Sequence, residues 1–259
     1  MTIYAIANGK GGVGKSVTAA ELVAALQRAG RIALGVDLDQ QGNLTKRLGV
    51  NEATGGILYD AADVIRGDAG LTEAAIEAPA VAGAHLVVGS HKIATVTPQE
   101  VPDMVTGLQT LIRTTSPLPW DDVVLDCPPS LVGTTLTALA AADVVIGVSS
   151  CEESSVEQVD RLNEMISGVI ARRIRPEAVI NWIVPTMYTN TREAKRGLED
   201  LQIKWGSSVT TPIRRATVVS EAYRHHQPVS RYRPGADVST DYIEALGPII
   251  RQHSTSRSN

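Results

Sequence analysis

The chain has 259 residues, of which 43% are hydrophobic and 20% charged, and a formal net charge of −4. This composition excludes disordered, collagen-like and disulfide-stapled chains, and the length suits one large folded domain. Only nine residues are aromatic (three Trp, six Tyr, no Phe), so the core is built from Ala, Val, Ile and Leu, as in a parallel sheet covered by Ala-rich helices. Short apolar runs at 3–7, 32–36, 85–88, 123–125, 144–148, 179–184 and 208–211 predict strands. Helical patterns fill 16–29, 98–112, 131–141, 156–171, 192–205 and 236–252; in the first, Ala19, Leu22, Val23 and Leu26 recur at i, i+3, i+4 and i+7 and Gly30 closes the run. The alternation predicts an α/β fold, a mainly parallel twisted sheet with helices on both faces. Residues 51–120 are expected to add one strand and three helices to the same domain. We read 1–252 as a single domain and 253–259 as a disordered tail.

The opening Met1-Thr2-Ile3-Tyr4-Ala5-Ile6-Ala7 has neither the basic start nor the apolar length of a signal peptide, and no run reaches the roughly 18 apolar residues of a membrane span. Cys127 and Cys151 are expected to be reduced, packed thiols in a cytoplasmic protein. Their spacing and the lack of nearby His argue against zinc or an iron–sulfur cluster. A Ser/His/Asp hydrolase has no nucleophile elbow to support it, and His225-His226 read as surface residues.

Gly9-Lys10-Gly11-Gly12-Val13-Gly14-Lys15-Ser16 matches the phosphate-loop pattern G-x-x-x-x-G-K-[ST] between a strand and a helix. Its glycines let successive backbone N–H groups face a polyphosphate, and the helix adds its positive N-terminal end. Lys15 is placed to hold the β and γ phosphates and Ser16 to put a hydroxyl on Mg²⁺. Val36-Asp37-Leu38-Asp39 follows the second strand, where carboxylates project toward the phosphate crevice: Asp39 to orient the attacking water, Asp37 toward the Mg²⁺ shell. Val123-Val124-Leu125-Asp126 reads as a buried strand that delivers Asp126 to the metal. The basic cradle does not need Lys10, so a second cation in the loop points beyond simple nucleotide binding.

Lys10 to Ser16, K-G-G-V-G-K-S, resembles the deviant Walker A motif of the ParA/MinD partition and positioning ATPases, a P-loop NTPase class. Asp37 to Asn43 is similar to that family's D-x-D-P-Q-G-N segment, with Gln40 where proline is usual. Asp126-Cys127-Pro128-Pro129-Ser130 and the stretch from Leu136 to Asp143 also resemble it, and Val17 stands where the family has a second threonine. The resemblance implies ATP and Mg²⁺ as ligands, and a Lys10 that reaches across a nucleotide-sandwich homodimer to the partner's ATP. It also implies slow intrinsic hydrolysis accelerated by a ParB-like partner. Thr211-Pro212-Ile213-Arg214-Arg215 echoes the family signpost beside the adenine, so Met187, Pro212 and Ile213 become adenine candidates.

Residues 171–235 hold twelve Lys and Arg against five Asp and Glu, a balance of +7 that leaves −11 for the rest. Such asymmetry marks an interaction surface. Arg192, Lys195 and Arg196 share a helix face by their spacing. With Arg214, Arg215, Arg224, Arg231 and Arg233 they are candidate contacts to the phosphates of double-stranded DNA, without base-reading or stacking signatures. The DNA-partition branch is therefore expected, nucleoid-associated and without a membrane role, since the stretch around Gly247-Pro248 makes a poor amphipathic anchor. A chain that opens on its first strand is expected to lack an operator-reading N-terminal domain. The alternative is a MinD-like or cargo-positioning ATPase that acts without DNA.

Overall fold

The computed structural model describes residues 1–97, 100–101, 103–115 and 117–254. β1 (Thr2–Ala7) runs through the glycine-rich turn into α1 (Lys15–Arg28), and β2 (Ala33–Asp37) into the short α2 (Asn43–Arg47). Next come α3 (Ala61–Arg66), α4 (Leu71–Ala74), the two-residue β3 (Ile76–Glu77), β4 (His85–Val87) and a 3₁₀ turn at His91–Thr95. α5 (Met104–Thr114), β5 (Asp122–Asp126), α6 (Thr134–Ala141), β6 (Val144–Ser149) and α7 (Glu153–Met165) follow. α7 passes through a π-helical turn at Ile166–Ile170 into α8 (Ala171–Arg173). β7 (Ile180–Pro185), α9 (Arg192–Trp205), α10 (Val218–Arg224), α11 (Val229–Tyr232) and α12 (Asp237–Ser254) complete the order.

The seven strands form one sheet in the order β3-β4-β2-β5-β1-β6-β7, parallel throughout except for the β3–β4 pair. Alternation along β1 sends Ile3, Ala5 and Ala7 into one core and Tyr4 and Ile6 into the other. The first core is covered by α3, α5, α6, α7 and α9; the second by α1, α2, α10, α11 and α12. Both faces being buried, the central strands can be apolar along their whole length, and β1, β2, β5 and β6 are buried at every position. β2 and β6 lie on opposite sides of β1, so the sheet order reverses around it, and the C-terminal ends there open the crevice typical of such sheets.

The expected architecture stands, with local corrections. Residues 208–211 are not a strand: a 3₁₀ turn at Gly206–Ser208 leads to a single bridge between Val209 and Ile183. The segment 51–120 supplies two strands rather than one, β3 being the short antiparallel edge. The helix expected at 98–112 is described from Met104, while Pro98, Gln99 and Pro102 lie outside the described residues. α12 continues through Gly247-Pro248, its side chains Val238, Tyr242, Ala245, Leu246 and Ile249 being buried in the second core. Its apolar face is thus already covered by the protein. Of the tail expected at 253–259, His253 and Ser254 extend α12 and the remainder lies outside the described residues.

Gly197 fixes how closely α9 approaches the end of β6. A Cβ there would stand 2.1 Å from the Cys151 carbonyl oxygen, on a residue already at φ 59°. Gly197→Ala should therefore cost about 1–3 kcal/mol by overpacking, read as a lower urea midpoint. Gly168→Ala in the π turn, where a Cβ meets nothing within 4 Å, should be neutral or slightly stabilising.

Candidate active site

The phosphate loop is built from backbone constraints at both ends. Gly12 and Gly14 adopt φ of 73° and 92°, left-handed conformations that glycine takes without strain. Gly14 opens α1 with no side-chain cap, which leaves first-turn N–H groups directed at the crevice. Asn8 donates through Nδ2 to the Val148 carbonyl at 2.6 Å and accepts from the Lys10 N–H at 2.7 Å, so the loop is pinned to β6. The Thr186 hydroxyl donates to the Val13 carbonyl at 2.6 Å and ties the far side to the end of β7.

The two lysines take different directions. Lys15 is buried, its Nζ donating to the Lys10 carbonyl at 2.9 Å, and burial lowers its pKa against the opposing pull of Asp126. Lys10 instead donates to Glu152 Oε2 at 2.6 Å and Ser154 Oγ at 2.9 Å. Lys15 lines a cavity of about 400 Å³ with Gly11, Gly12, Gly14, Ser16, Val17 and Asp39, and Lys10 is not among its walls.

The carboxylates meet at the strand ends. Asp37 and Asp126 are register partners on β2 and β5, and Asp126 also pairs with Ile6 of β1. Asp37 is fully buried and already engaged: Oδ2 accepts from the Thr45 N–H at 2.8 Å and its hydroxyl at 2.7 Å, and Oδ1 from the Asp39 N–H at 3.2 Å. It organises the turn that carries Asp39. Desolvation pushes its pKa up to about 6. Asp126 is also fully buried, but neither oxygen has a hydrogen bond of normal geometry; burial and the neighbouring Asp37 raise its pKa, opposed by Ser16 and Lys15. Asp39 is slightly exposed on the cavity wall, one oxygen accepting from the Gln41 N–H at 3.0 Å.

A second cavity of about 270 Å³ shares Gly14, Val17 and Met187 with the first and adds Thr186, Ile213 and Val219. Met187 holds φ 52°, a strained backbone for a residue with a side chain, which is common at ligand clamps. Of the three adenine candidates, Met187 and Ile213 line one apolar recess beside the phosphate loop; Pro212 is not among its walls. A roomier cavity of about 600 Å³ lies alongside, lined by Gln40, Lys46 and His226 and by no phosphate-loop residue. Asn43, the last residue of the Asp37–Asn43 segment, also lines the phosphate cavity, as do Arg47 and Tyr223, which the motifs do not announce. The one available signal was the i, i+4 spacing of Asn43 and Arg47 behind Asp39.

Among the DNA candidates, Arg192, Lys195 and Arg196 are exposed on α9 while Ala194, Gly197 and Leu201 face the core. Arg214 is held by α12: Nε and Nη2 bind Asp241 at 2.7 and 2.9 Å and Nη1 binds Asp237 at 2.7 Å. Arg215 has Glu152 at 3.9 Å, and Arg233 has Glu221 at 3.4 Å. Arg224 and Arg231 are exposed on α10 and α11. The Arg215 N–H donates to the Tyr188 carbonyl, so that strand-like segment runs beside the turn leading into α9.

A phosphate loop at the sheet's reversal point, with a buried acid on the neighbouring strand, defines a P-loop nucleotide-binding protein of the ATPase type. The unpartnered oxygens of Asp126, beside Ser16, fit a hard divalent cation that takes a few protein oxygens and completes its shell with phosphate and water. Residues 1–179 match the AAA domain family, and full-length relatives agree. The sporulation initiation inhibitor protein Soj of Bacillus subtilis is 31% identical over 94% of this chain and 97% of its own. The chromosome partitioning protein ParA of Caulobacter vibrioides is 31% identical over 96% and 94%. The crystal structure of cobyrinic acid a,c-diamide synthase from Mycobacterium smegmatis with bound ADP and magnesium superposes with a TM-score of 0.80, at 27% identity over 99% of this chain and 97% of that one. The chain belongs to the ParA/MinD-type family of P-loop ATPases.

Because Asp126 and Asp37 bind protons more tightly folded than unfolded, the ligand-free protein should lose stability as pH rises from the ordinary carboxylate value, 3.8, toward about 6. Asp126→Asn removes one buried charge. It should flatten that slope and raise the ligand-free melting temperature, while the further rise on adding Mg²⁺ and ATP is lost; paired thermal melts across pH check both.

Proposed function

We propose that the chain is a DNA-partition ATPase that segregates a chromosome or plasmid, cytoplasmic and nucleoid-associated. ATP and Mg²⁺ bind at the phosphate loop, with Lys15 on the β and γ phosphates, Asp126 and Ser16 toward the metal, and Asp37 holding the turn that presents Asp39. Held by Asp126 and Ser16, Mg²⁺ would supply positive charge to the phosphates; Asp39 orients the water that attacks the γ phosphorus as the bond to ADP breaks. Among the described residues no stronger base stands on the cavity wall, in keeping with slow intrinsic hydrolysis that a ParB-like partner accelerates.

The observation that carries this reading is the divergence of the two lysines. Lys15 lies buried against the loop and lines the cavity, whereas Lys10 points out of it toward Glu152 and Ser154. A cation so placed serves its own nucleotide poorly and a partner's well, which supports an ATP-dependent homodimer closed through Lys10. Glu152 also faces Arg215 at 3.9 Å, so the contact that Lys10 gives up on reaching across is shared with the basic segment. Arg192, Lys195, Arg196, Arg215, Arg224 and Arg231 supply the duplex contacts. Arg214 and Arg233, engaged by acidic partners, contribute less.

Binding of arbitrary duplex DNA and of anionic vesicles, each with ATP, ADP or no nucleotide, tests the proposal. ATP-selective duplex binding that weakens steeply with salt is expected; vesicle binding alone would mean a membrane-positioning ATPase instead. Lys10→Ala should keep ATP binding within a few-fold yet lose ATP-dependent dimerisation by light scattering and at least about tenfold in DNA affinity. Unchanged dimerisation would refute the trans role.

A further inference from the structure

Arg47 closes α2 one turn after Asn43, and both side chains line the phosphate cavity. Its guanidinium carbon lies 4.8 Å from the centroid of the Tyr223 ring. The ring is itself fixed, since the Tyr223 hydroxyl donates to Asn43 Oδ1 at 3.1 Å. The clamp therefore joins α2 to α10 along the cavity wall and leaves the guanidinium little freedom to turn away.

What the clamp lacks is an anion. Arg47 Nη1 is sealed from solvent without a hydrogen-bond partner, and the guanidinium forms no ion pair among the described residues. Glu21, fully buried on α1, acts on it only at longer range and spends one oxygen on the Ser230 N–H at 3.2 Å. An aromatic face offsets part of the cost of burying a cation, but a guanidinium has five donors in a planar fork whose natural partners are carboxylate and phosphate. The cavity wall also supplies Lys15 and the glycine N–H groups, which select for polyanions, against the single carboxylate of Asp39.

We propose that Arg47 is a nucleotide-binding residue that donates to the phosphate chain from the α2 side, opposite the phosphate loop. The assignment rests on the ATP reading above and extends it. It gives the cavity a second clamp whose closure depends on α2 and α10, and it ties phosphate occupancy to the position of both. A merely structural Arg47 would serve equally well with the cavity empty, and would not care about the charge of what enters it.

Binding of Mg²⁺-ATP by isothermal titration calorimetry separates these roles. Arg47→Met keeps the apolar stem over Tyr223 and removes the donors. It should weaken Mg²⁺-ATP by about tenfold or more, reduce the dependence of affinity on salt, and leave the melting temperature of the ligand-free protein unchanged or higher. Arg47→Lys, which keeps the charge without the fork, should recover part of the affinity and serves as the reading if the methionine variant does not fold. An affinity within twofold of the unaltered protein in the folded variant, with an unchanged salt dependence, would overturn the assignment to Arg47 alone. If the unaltered protein itself bound no Mg²⁺-ATP, the ATP reading and this inference would fall together.

Discussion

Two carboxylates and an ammonium are buried at the ends of three adjacent strands, and the rest of the structure is arranged around making that tolerable. Ile6, Asp126 and Asp37 stand in register across β1, β5 and β2, so Asp37 and Asp126 are brought together by the parallel ladder rather than by any loop. Removing a charge from water costs several kcal/mol even after relaxation. Asp37 offsets this with hydrogen bonds from Thr45 and the Asp39 N–H; Asp126 has no such relief. Lys15 supplies partial compensation only, its own donor going to a backbone carbonyl. A divalent cation with a polyphosphate brings the charges of both signs that this cluster lacks. Ligand binding and local stability are thus aspects of one electrostatic deficit.

The outward lysine obeys a different balance. The Lys10–Glu152 pair has side chains 31% and 46% exposed, and pairs of that kind contribute about 0–1 kcal/mol. Such a contact holds a long side chain in one place while it is idle and yields readily to a better partner. Glu152 lies at the start of α7, in reach of both the phosphate loop and Arg215, so a change at Lys10 alters the surroundings of a residue on the basic segment. The strongly held Lys15 and the weakly held Lys10 divide the loop into a fixed half and an exchangeable half.

The sequence was legible wherever period and motif coincided. Alternating apolar runs and Ala-rich helices fix the parallel sheet, and α9 occupies residues 192–205 as its spacing predicts, because its buried Ala194, Gly197 and Leu201 repeat at helical intervals. The phosphate loop, Asp39 and Asp126 follow from local strings at strand ends. Short elements were not legible: α10 and α11 have too few turns for a periodic pattern, and β3 is two residues long. α12 was legible over 236–252 in spite of Pro248, and packing on the second core sustains the helix through that residue. Arg47 belongs to no motif, and its i, i+4 spacing from Asn43 does not by itself mark a site. Its meaning comes from Tyr223, which lies far along the chain and reaches it only through the fold.

Charge counting shows the same limit from the other direction. The balance of +7 over residues 171–235 treats every arginine there as available, yet Arg214 is neutralised by Asp237 and Asp241, which lie just beyond the counted segment. Arg233 is drawn to Glu221 within it. The field that a polyanion meets is therefore set by the cations without an acidic partner among the described residues, Arg192, Lys195 and Arg196 on α9, Arg224 on α10 and Arg231 on α11, together with Arg215, which Glu152 holds only at 3.9 Å. Counterion release scales with the phosphates actually neutralised, not with formal charge along the chain. The net −4 and the regional +7 are both correct sums, and neither measures that surface.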